Sequence, residues 1–187
     1  DFDPPDGMVC LANGVLDIDE MRLYDHAAEY EFQSGLRVEY DPDAECPRWV
    51  EFIESTFDSE AHIKRVQEYA GYTLVQGRMP VARSLFIAGP RDTGKSVFLD
   101  TIKRLFHDGS VASVTPQYLV DHGWRLAELE GKMVNIRSDI DDEMIENAGL
   151  WKEITAGEEV MAERKHEDPF SFRPTAKHIY ATNKLPV

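Results

Sequence analysis

Gly89-Pro90-Arg91-Asp92-Thr93-Gly94-Lys95-Ser96 is the stretch on which the fold turns. It fits G-x-x-x-x-G-K-[ST] at every fixed position. Two glycines let a backbone turn tightly, so that successive N–H groups point inward at phosphate oxygens. At these positions Lys95 is spaced to reach β- and γ-phosphates, and Ser96 to offer a hydroxyl to Mg²⁺. A helix starting here would set its positive end behind the phosphates. The flanks agree: Ser84-Leu85-Phe86-Ile87-Ala88 reads as a short buried strand, and residues 95–106 place Val97, Phe98, Ile102, Leu105 and Phe106 on one helical face. Such an octamer arises by chance in well under about 1% of chains this long. An ordinary strand–turn–helix would not need lysine and serine together, so residues 89–96 are expected to bind a nucleotide.

Reading toward the C-terminus, strands and helices alternate. Val111–Val114 predicts a strand, Thr115-Pro116 opens a helix, Met133–Ile136 is a strand ending in acids, and a helix is expected over Met144–Ile154. A strand near Val160-Met161, a charged turn, Phe170-Ser171-Phe172 and a last strand His178–Ala181 follow. This alternation predicts an α/β domain with a largely parallel sheet. The acids after Ile136 are expected beside the loop, on the carboxyl end of a neighbouring strand. There Asp139 would join the Mg²⁺ shell and Asp141 would polarise water. Asn183, at the end of the last strand, would orient that water without changing charge. Ala162 to Phe170 reads as a hairpin with Arg164, Lys165 and His166 near its tip, where cations could grip a phosphate backbone.

Reading toward the N-terminus, turns at Asp3–Gly7 and Asn13-Gly14 precede strands at Val15–Ile18 and Arg22–Tyr24. Val38–Asp43 is expected to be extended. Pro47 suits the first turn of a helix whose apolar face is Trp49, Phe52, Ile53 and Phe57. Asp58 or Ser59 would cap the next helix, which carries Ile63, Val66 and Tyr69-Ala70 and is expected to stop near Gly71. The aromatic residues here are expected in the core.

Charge divides the chain unevenly. Across 187 residues, 35 acids face 20 bases, a net of −15, yet residues 1–60 hold 17 acids and 3 bases, a net of −14. Residues 61–187 are left at −1. An acidic accessory segment, 1–77, is therefore expected ahead of a near-neutral core, 78–187, and reads as an outer collar or partner surface. Its acidity excludes broad coating by nucleic acid, whose binders are usually basic. At 42% hydrophobic and 29% charged residues the composition is that of a globular domain. No run approaches about 18 apolar residues, and no signal peptide is visible. Cys10 and Cys46 stand apart and read as reduced thiols in a cytosolic protein. The first residue is not Met, so the chain is expected to be an excised fragment.

In order, GPRDTGKS, an apolar strand ending in acids, a basic hairpin and a strand ending in Asn resemble the motif series of the superfamily 3 helicases, a branch of the AAA+ ATPases. The version here looks like the C-terminal region of phage and poxvirus primase-helicases. Those carry stretches similar to Asn13–Asp17, Tyr40–Ala44, Cys46-Pro47, Leu129–Lys132, Lys152–Gly157, Asp168–Pro174 and Ala181–Pro186. The resemblance implies an AAA+-like P-loop NTPase fold, a parallel sheet flanked by helices with a small N-terminal α+β segment. It implies hydrolysis of ATP with Mg²⁺ between the subunits of a hexamer that moves 3′→5′ on single-stranded DNA. Gly89, Gly94, Lys95 and Ser96 then take the Walker A places, Asp139 and Asp141 the Walker B places, and Asn183 that of sensor 1. Lys165-His166 matches a Lys-His pair at a channel hairpin, and Lys152 falls where some relatives reach the neighbouring subunit's nucleotide. A preceding primase domain, replication proteins and a phage or prophage origin in a bacterial cytoplasm are implied as well. Two departures stand out: Glu167 sits where many relatives have a base, and the arginine finger is expected beyond Val187. Arg91, Arg125 and Arg137 are not obvious substitutes. The fragment is therefore expected to be monomeric with weak ATPase activity. The competing readings are a nucleotide-dependent assembly or loading module that does not unwind DNA, and a small-molecule kinase, for which the sequence supplies no acceptor pocket or lid.

Overall fold

The first elements of the computed structural model, which describes residues 4–77, 79–141 and 143–185, form an antiparallel meander. Its strands are β1 (Met8–Leu11), β2 (Gly14–Asp17) and β3 (Arg22–Tyr24), in that order. Leu11 pairs with Gly14, so the turn is Ala12-Asn13 and Gly14 already belongs to β2. The glycine serves close approach: a β-carbon there would lie 2.4 Å from the Tyr24 carbonyl oxygen. Asn13 pins the turn to Tyr40, donating to its carbonyl at 3.0 Å and accepting from its N–H at 2.9 Å. β1 was not predicted from the sequence; it lies between two turn signals. Asp3, in the first of those turns, lies outside the described residues.

Two helices follow. α1 (Pro47–Thr56) has proline in its first turn, as the sequence predicts. α2 (Glu60–Leu74) is capped by Ser59, whose hydroxyl accepts from His62 N–H. α2 runs past the expected stop at Gly71 because Thr73 is fully buried and Leu74 packs on the core. That burial outweighs the glycine's cost of about 1 kcal/mol. The expected domain boundary falls at Arg78, outside the described residues.

The remaining elements are β4 (Ser84–Ala88), α3 (Lys95–Lys103), β5 (Val111–Ala112), α4 (Pro116–Asp121), α5 (Gly123–Leu126), β6 (Val134–Arg137), α6 (Ala148–Ala156), β7 (Val160–Ala162), β8 (Phe170–Phe172) and β9 (Lys177–Thr182). The sheet has the order β4-β9-β6-β5 and every pairing in it is parallel. The acid-ending strand β6 is therefore next but one to β4, not adjacent as expected: β9 lies between them. β7 and β8 form the expected hairpin. α3 stops at Lys103 because the chain beyond it is recruited elsewhere. Arg37 N–H donates to the Leu105 carbonyl at 2.9 Å, and Phe106 bridges Leu36. α6 starts later than expected, at Ala148, just after Asn147, whose side chain caps it by accepting from Leu150 N–H at 3.1 Å. Met144, the expected start, is exposed and packs in neither apolar cluster, so nothing draws it into a helix.

One face of the sheet carries Leu85, Ile87, Val134, Ile136, Ile179 and Ala181. It packs on Phe98, Leu99 and Ile102 of α3 and, in the same core, on Val9, Leu11, Leu16, Leu36 and Ile53. Trp49 stacks on Phe98 with centroids 5.7 Å apart, and Phe57 meets that ring edge-on at 5.8 Å. The expected aromatic face is thus core, and the acidic segment is more than a collar, since its apolar residues complete the main core. The hairpin, α4, α5 and α6 enclose a second cluster around Leu119, Leu126, Leu129 and Ile154.

The opposite sheet face is polar where β6 and β9 meet. Asn135 accepts from Val114 N–H at 2.8 Å and donates to the Tyr180 hydroxyl at 2.8 Å. His178 Nδ1 lies 3.1 Å from that hydroxyl, under Trp151 of α6. Burial pushes the His178 imidazole down to about 3, so it is neutral. Lys177 points to the other side and donates to the Val75 carbonyl at 2.7 Å, at the end of α2; burial lowers it to about 8. Among the described residues no helix is long and apolar enough to cross a membrane.

Candidate nucleotide site and the charged hairpin

β4 delivers the chain to Gly89, whose N–H donates to the Thr182 carbonyl at 3.2 Å. Asp92 (φ 60°) and Gly94 (φ 85°) then adopt the left-handed conformation, which turns the loop back into α3. Thr93 hydroxyl donates to the Pro90 carbonyl at 2.9 Å. Lys95 is buried at 9% exposure, and its ammonium donates to the carbonyls of Gly89 (2.7 Å) and Pro90 (2.5 Å). Arg91, Asp92, Thr93 and Ser96 are exposed. As glycine supplies no capping side chain, the first N–H groups of α3 gain no acceptor from Gly94.

The two acids and the asparagine arrive at the same end of the sheet. Asp139 follows β6, exposed, at φ 51°. Its loop is fastened to β9: Ile140 N–H donates to the Ala181 carbonyl at 3.3 Å, and Thr182 hydroxyl donates to the Ile140 carbonyl at 3.1 Å. Asp141 is exposed, with its carbonyl 3.3 Å from the Gln117 amide that donates to it. Asn183 follows β9 directly and is exposed. The end of β9 therefore ties together the loop 89–94, the 138–141 turn and Asn183, at the carboxyl ends of parallel strands where such sheets hold ligands. Among the described residues no three His, Cys, Asp or Glu side chains gather into a metal site. Ser96 and Asp139 offer hard oxygen donors suited to Mg²⁺, which usually takes one or two protein ligands and completes its shell with phosphate and water.

The sequence-predicted hairpin cations separate into two groups. Arg164 is paired with Glu130, lies 3.6 Å from Glu167 and stacks 4.5 Å above the Phe170 ring. Lys165 and His166 are exposed at the tip, with His166 at φ 70°. Lys152 is exposed on α6, well removed in sequence from the tip.

The structure adds a surface that sequence reasoning missed. Tyr118 (51% exposed) stacks on His122 at 6.1 Å, and His122 on Trp124 (44% exposed) at 5.7 Å with planes 12° apart. The Arg125 guanidinium lies 4.2 Å over Trp124 and is paired with Glu128. This ladder joins the hairpin base, where Glu163 N–H donates to the Gly123 carbonyl at 3.4 Å. The only signal was the aromatic density of Tyr118-Leu119-Val120-Asp121-His122-Gly123-Trp124, which matches neither helix nor strand period across Gly123.

Fold and site define a mixed α/β protein with a parallel sheet and a glycine-bounded loop at its carboxyl edge. Residues 87–187 match the model of a family of unknown function (DUF5906), and the chain belongs to that family. Residues 1–58 match a model described as D5 N terminal like. That D5-type match at the N-terminal end agrees with the resemblance to phage-type primase-helicases read from the sequence. The A form apo structure of the NrS-1 C terminal region aligns with a TM-score of 0.60 at 17% identity, over 77% of this chain and 35% of that one. A second apo structure of that region gives 0.60 and 17%, over 76% and 35%. At such identities the likeness is one of fold. A JCV helicase structure aligns at a TM-score of only 0.45 and 16% identity, over 73% and 40%. The chain spans about a third of the length of the NrS-1 structures. No curated protein matches the sequence.

Proposed function

We propose that this chain is a P-loop ATPase module of AAA+ type, the motor part of a phage or prophage primase-helicase that hydrolyses ATP to move on single-stranded DNA. The observation that carries the reading is the convergence on the end of β9. The 89–96 loop, the Asp139–Asp141 turn and Asn183 come from three strands and are held in one place by Gly89–Thr182, Ile140–Ala181 and Thr182–Ile140 hydrogen bonds. In this reading the backbone N–H groups of residues 91–96 and the Lys95 ammonium hold the β- and γ-phosphates. Lys95 exchanges the Gly89 and Pro90 carbonyls for phosphate oxygens. Ser96 and Asp139 would hold Mg²⁺, and the ion would supply positive charge against the phosphate oxygens. Asp141 takes the proton of the attacking water, and Asn183 orients that water.

The hairpin supports a DNA-facing role. Lys165 and His166 are exposed at its tip for phosphates, and the Tyr118–His122–Trp124 ladder beside it offers ring faces to bases. Lys152 reaches a neighbouring subunit's nucleotide in the hexameric parent. Residues 1–77 form the accessory segment and 78–187 the ATPase core.

The test is MgATP binding and turnover, in this chain and in the full-length parent, with Lys95→Ala alongside. Loss of about 10²–10³ in turnover is expected, the usual effect of removing a group that stabilises transition-state charge. A parent that unwinds a 3′-tailed duplex as well with Lys95→Ala as without it is not driven by this site. A parent that forms rings with ATP but never translocates is an assembly or loading module instead.

A further inference from the structure

α3 opens on Gly94, and the space where that residue's β-carbon would stand is already taken. A β-carbon there would lie 3.1 Å from Phe52 Cε2, 3.1 Å from Thr56 Oγ1 and 3.3 Å from Thr56 Cγ2. Both belong to the last two turns of α1. α1 has little room to yield, because Ile53, between them, is fully buried in the main core. Trp49 stacks on Phe98, and Phe57 meets the same ring edge-on. Phe98 sits one turn along α3, and its N–H donates to the Gly94 carbonyl at 3.0 Å. α1 therefore grips the first turn of α3 at two points, the glycine and the phenylalanine that hydrogen-bonds to it. The other side of the loop is open: Arg91, Asp92, Thr93 and Ser96 face solvent. A loop with one packed wall and one solvated wall takes its shape from the packed wall, because close-packed side chains transmit displacement.

We propose that Phe52 and Thr56 are positioning residues for the phosphate loop. They fix Gly94 and the first turn of α3 in the conformation that presents the loop amides, and so couple docking of the N-terminal segment to nucleotide affinity. This rests on the reading of residues 89–96 as a nucleotide site. Coupling of this kind is reciprocal: bound nucleotide tightens α1, and a partner that pulls on the acidic segment loosens the nucleotide.

The experiment uses the full chain, Mg²⁺ and the fluorescent analogue mant-ADP. Thr56→Ala and Phe52→Leu are expected to raise the dissociation constant about 5- to 20-fold, the lower range of ordinary coupling between sites. Thr56→Ser keeps the hydroxyl and is expected to restore most of the affinity. Leu36→Ala, which damages the same core beyond the far end of α3, is expected to lower the melting temperature yet stay within about twofold in affinity, the scatter of uncoupled sites. Hydrogen exchange of residues 47–57 should slow when mant-ADP binds wild type, and not in Lys95→Ala. If wild type binds in a Lys95-dependent way while Thr56→Ala and Phe52→Leu bind equally well, the positioning role is overturned and the nucleotide site stands. If affinity simply tracks melting temperature across all variants, Leu36→Ala included, the role is likewise overturned. If wild type binds no mant-ADP, or binds it equally with Lys95→Ala, both readings fall.

Discussion

His178 and Lys177 are consecutive on β9 and point to opposite faces, and both are buried bases whose charge the protein disfavours. His178 titrates at about 3 in the folded chain because of burial, against an ordinary value of 6.5. Between those values the unfolded chain holds the extra proton, so stability is full above pH 6.5 and declines as pH falls toward 3. At pH 5 the loss from this one residue is about 2 kcal/mol, from about 1.4 kcal/mol per unit. Urea denaturation at pH 7 and pH 5 should show it, and His178→Gln should shrink the difference by roughly that amount. An unchanged difference would mean that His178 is not the buried base described. Lys177 titrates at about 8 through burial, against 10.5, so here too the unfolded chain holds the extra proton, now between pH 8 and 10.5. Raising the pH from 8 to 9.5 should therefore stabilise the protein, by up to about 2 kcal/mol, and Lys177→Met should flatten that rise.

At the scale of elements, α2 and the β7–β8 hairpin make separate claims. Gly71 lies inside α2, and a β-carbon there would meet nothing within 4 Å. Gly71→Ala should therefore stabilise the protein by about 0.5–1 kcal/mol, read from chemical denaturation, since only the backbone-entropy penalty is removed. On the hairpin, Lys165→Ala should weaken single-stranded DNA binding and lower the slope of log affinity against log salt by about 0.7, because one phosphate fewer is neutralised. Trp124→Ala should cost about 1–3 kcal/mol of binding with the slope unchanged, because stacking releases no counterions. Arg164→Ala should change binding less than Lys165→Ala, because two carboxylates already engage Arg164. These elements also mark what local pattern could reveal. The glycine-bounded loop, the acids after β6 and Asn183 were legible because each sits where a strand ends, and strand ends show in the sequence. The insertion of β9 between β4 and β6 was not legible, since strand order is decided by pairings across 43 to 94 residues that leave no local trace. α3 ends short of its apolar period for a similar reason: Leu36 and Arg37, distant in sequence, capture residues 105 and 106. The aromatic ladder depends on α4 and α5 meeting at His122, which hydrophobic periodicity does not encode.

At the scale of the whole molecule, charge and packing divide the chain differently. By charge, the first 60 residues, at −14, stand apart from the rest, at −1. By packing there is no such division, because Val9, Leu11, Leu16, Leu36 and Ile53 share one core with Leu85, Ile87, Phe98 and Ile179. The segment is acidic on its exposed side and apolar on the side that closes over the sheet and α3, and it is the apolar side that binds it to the fold. Removing residues 1–58 would uncover that sheet face and strip Phe98 of both Trp49 and Phe57. Taking one large apolar side chain out of a packed core costs about 2–5 kcal/mol, and taking out several together exceeds the roughly 5–15 kcal/mol that holds a domain folded. The shortened chain should therefore lose its near-UV circular dichroism and bind a hydrophobic dye, although its net charge is closer to zero. If it keeps a cooperative melt near that of the intact chain, the part from residue 59 on, α2 included, forms a core of its own and the acidic segment is an attachment after all.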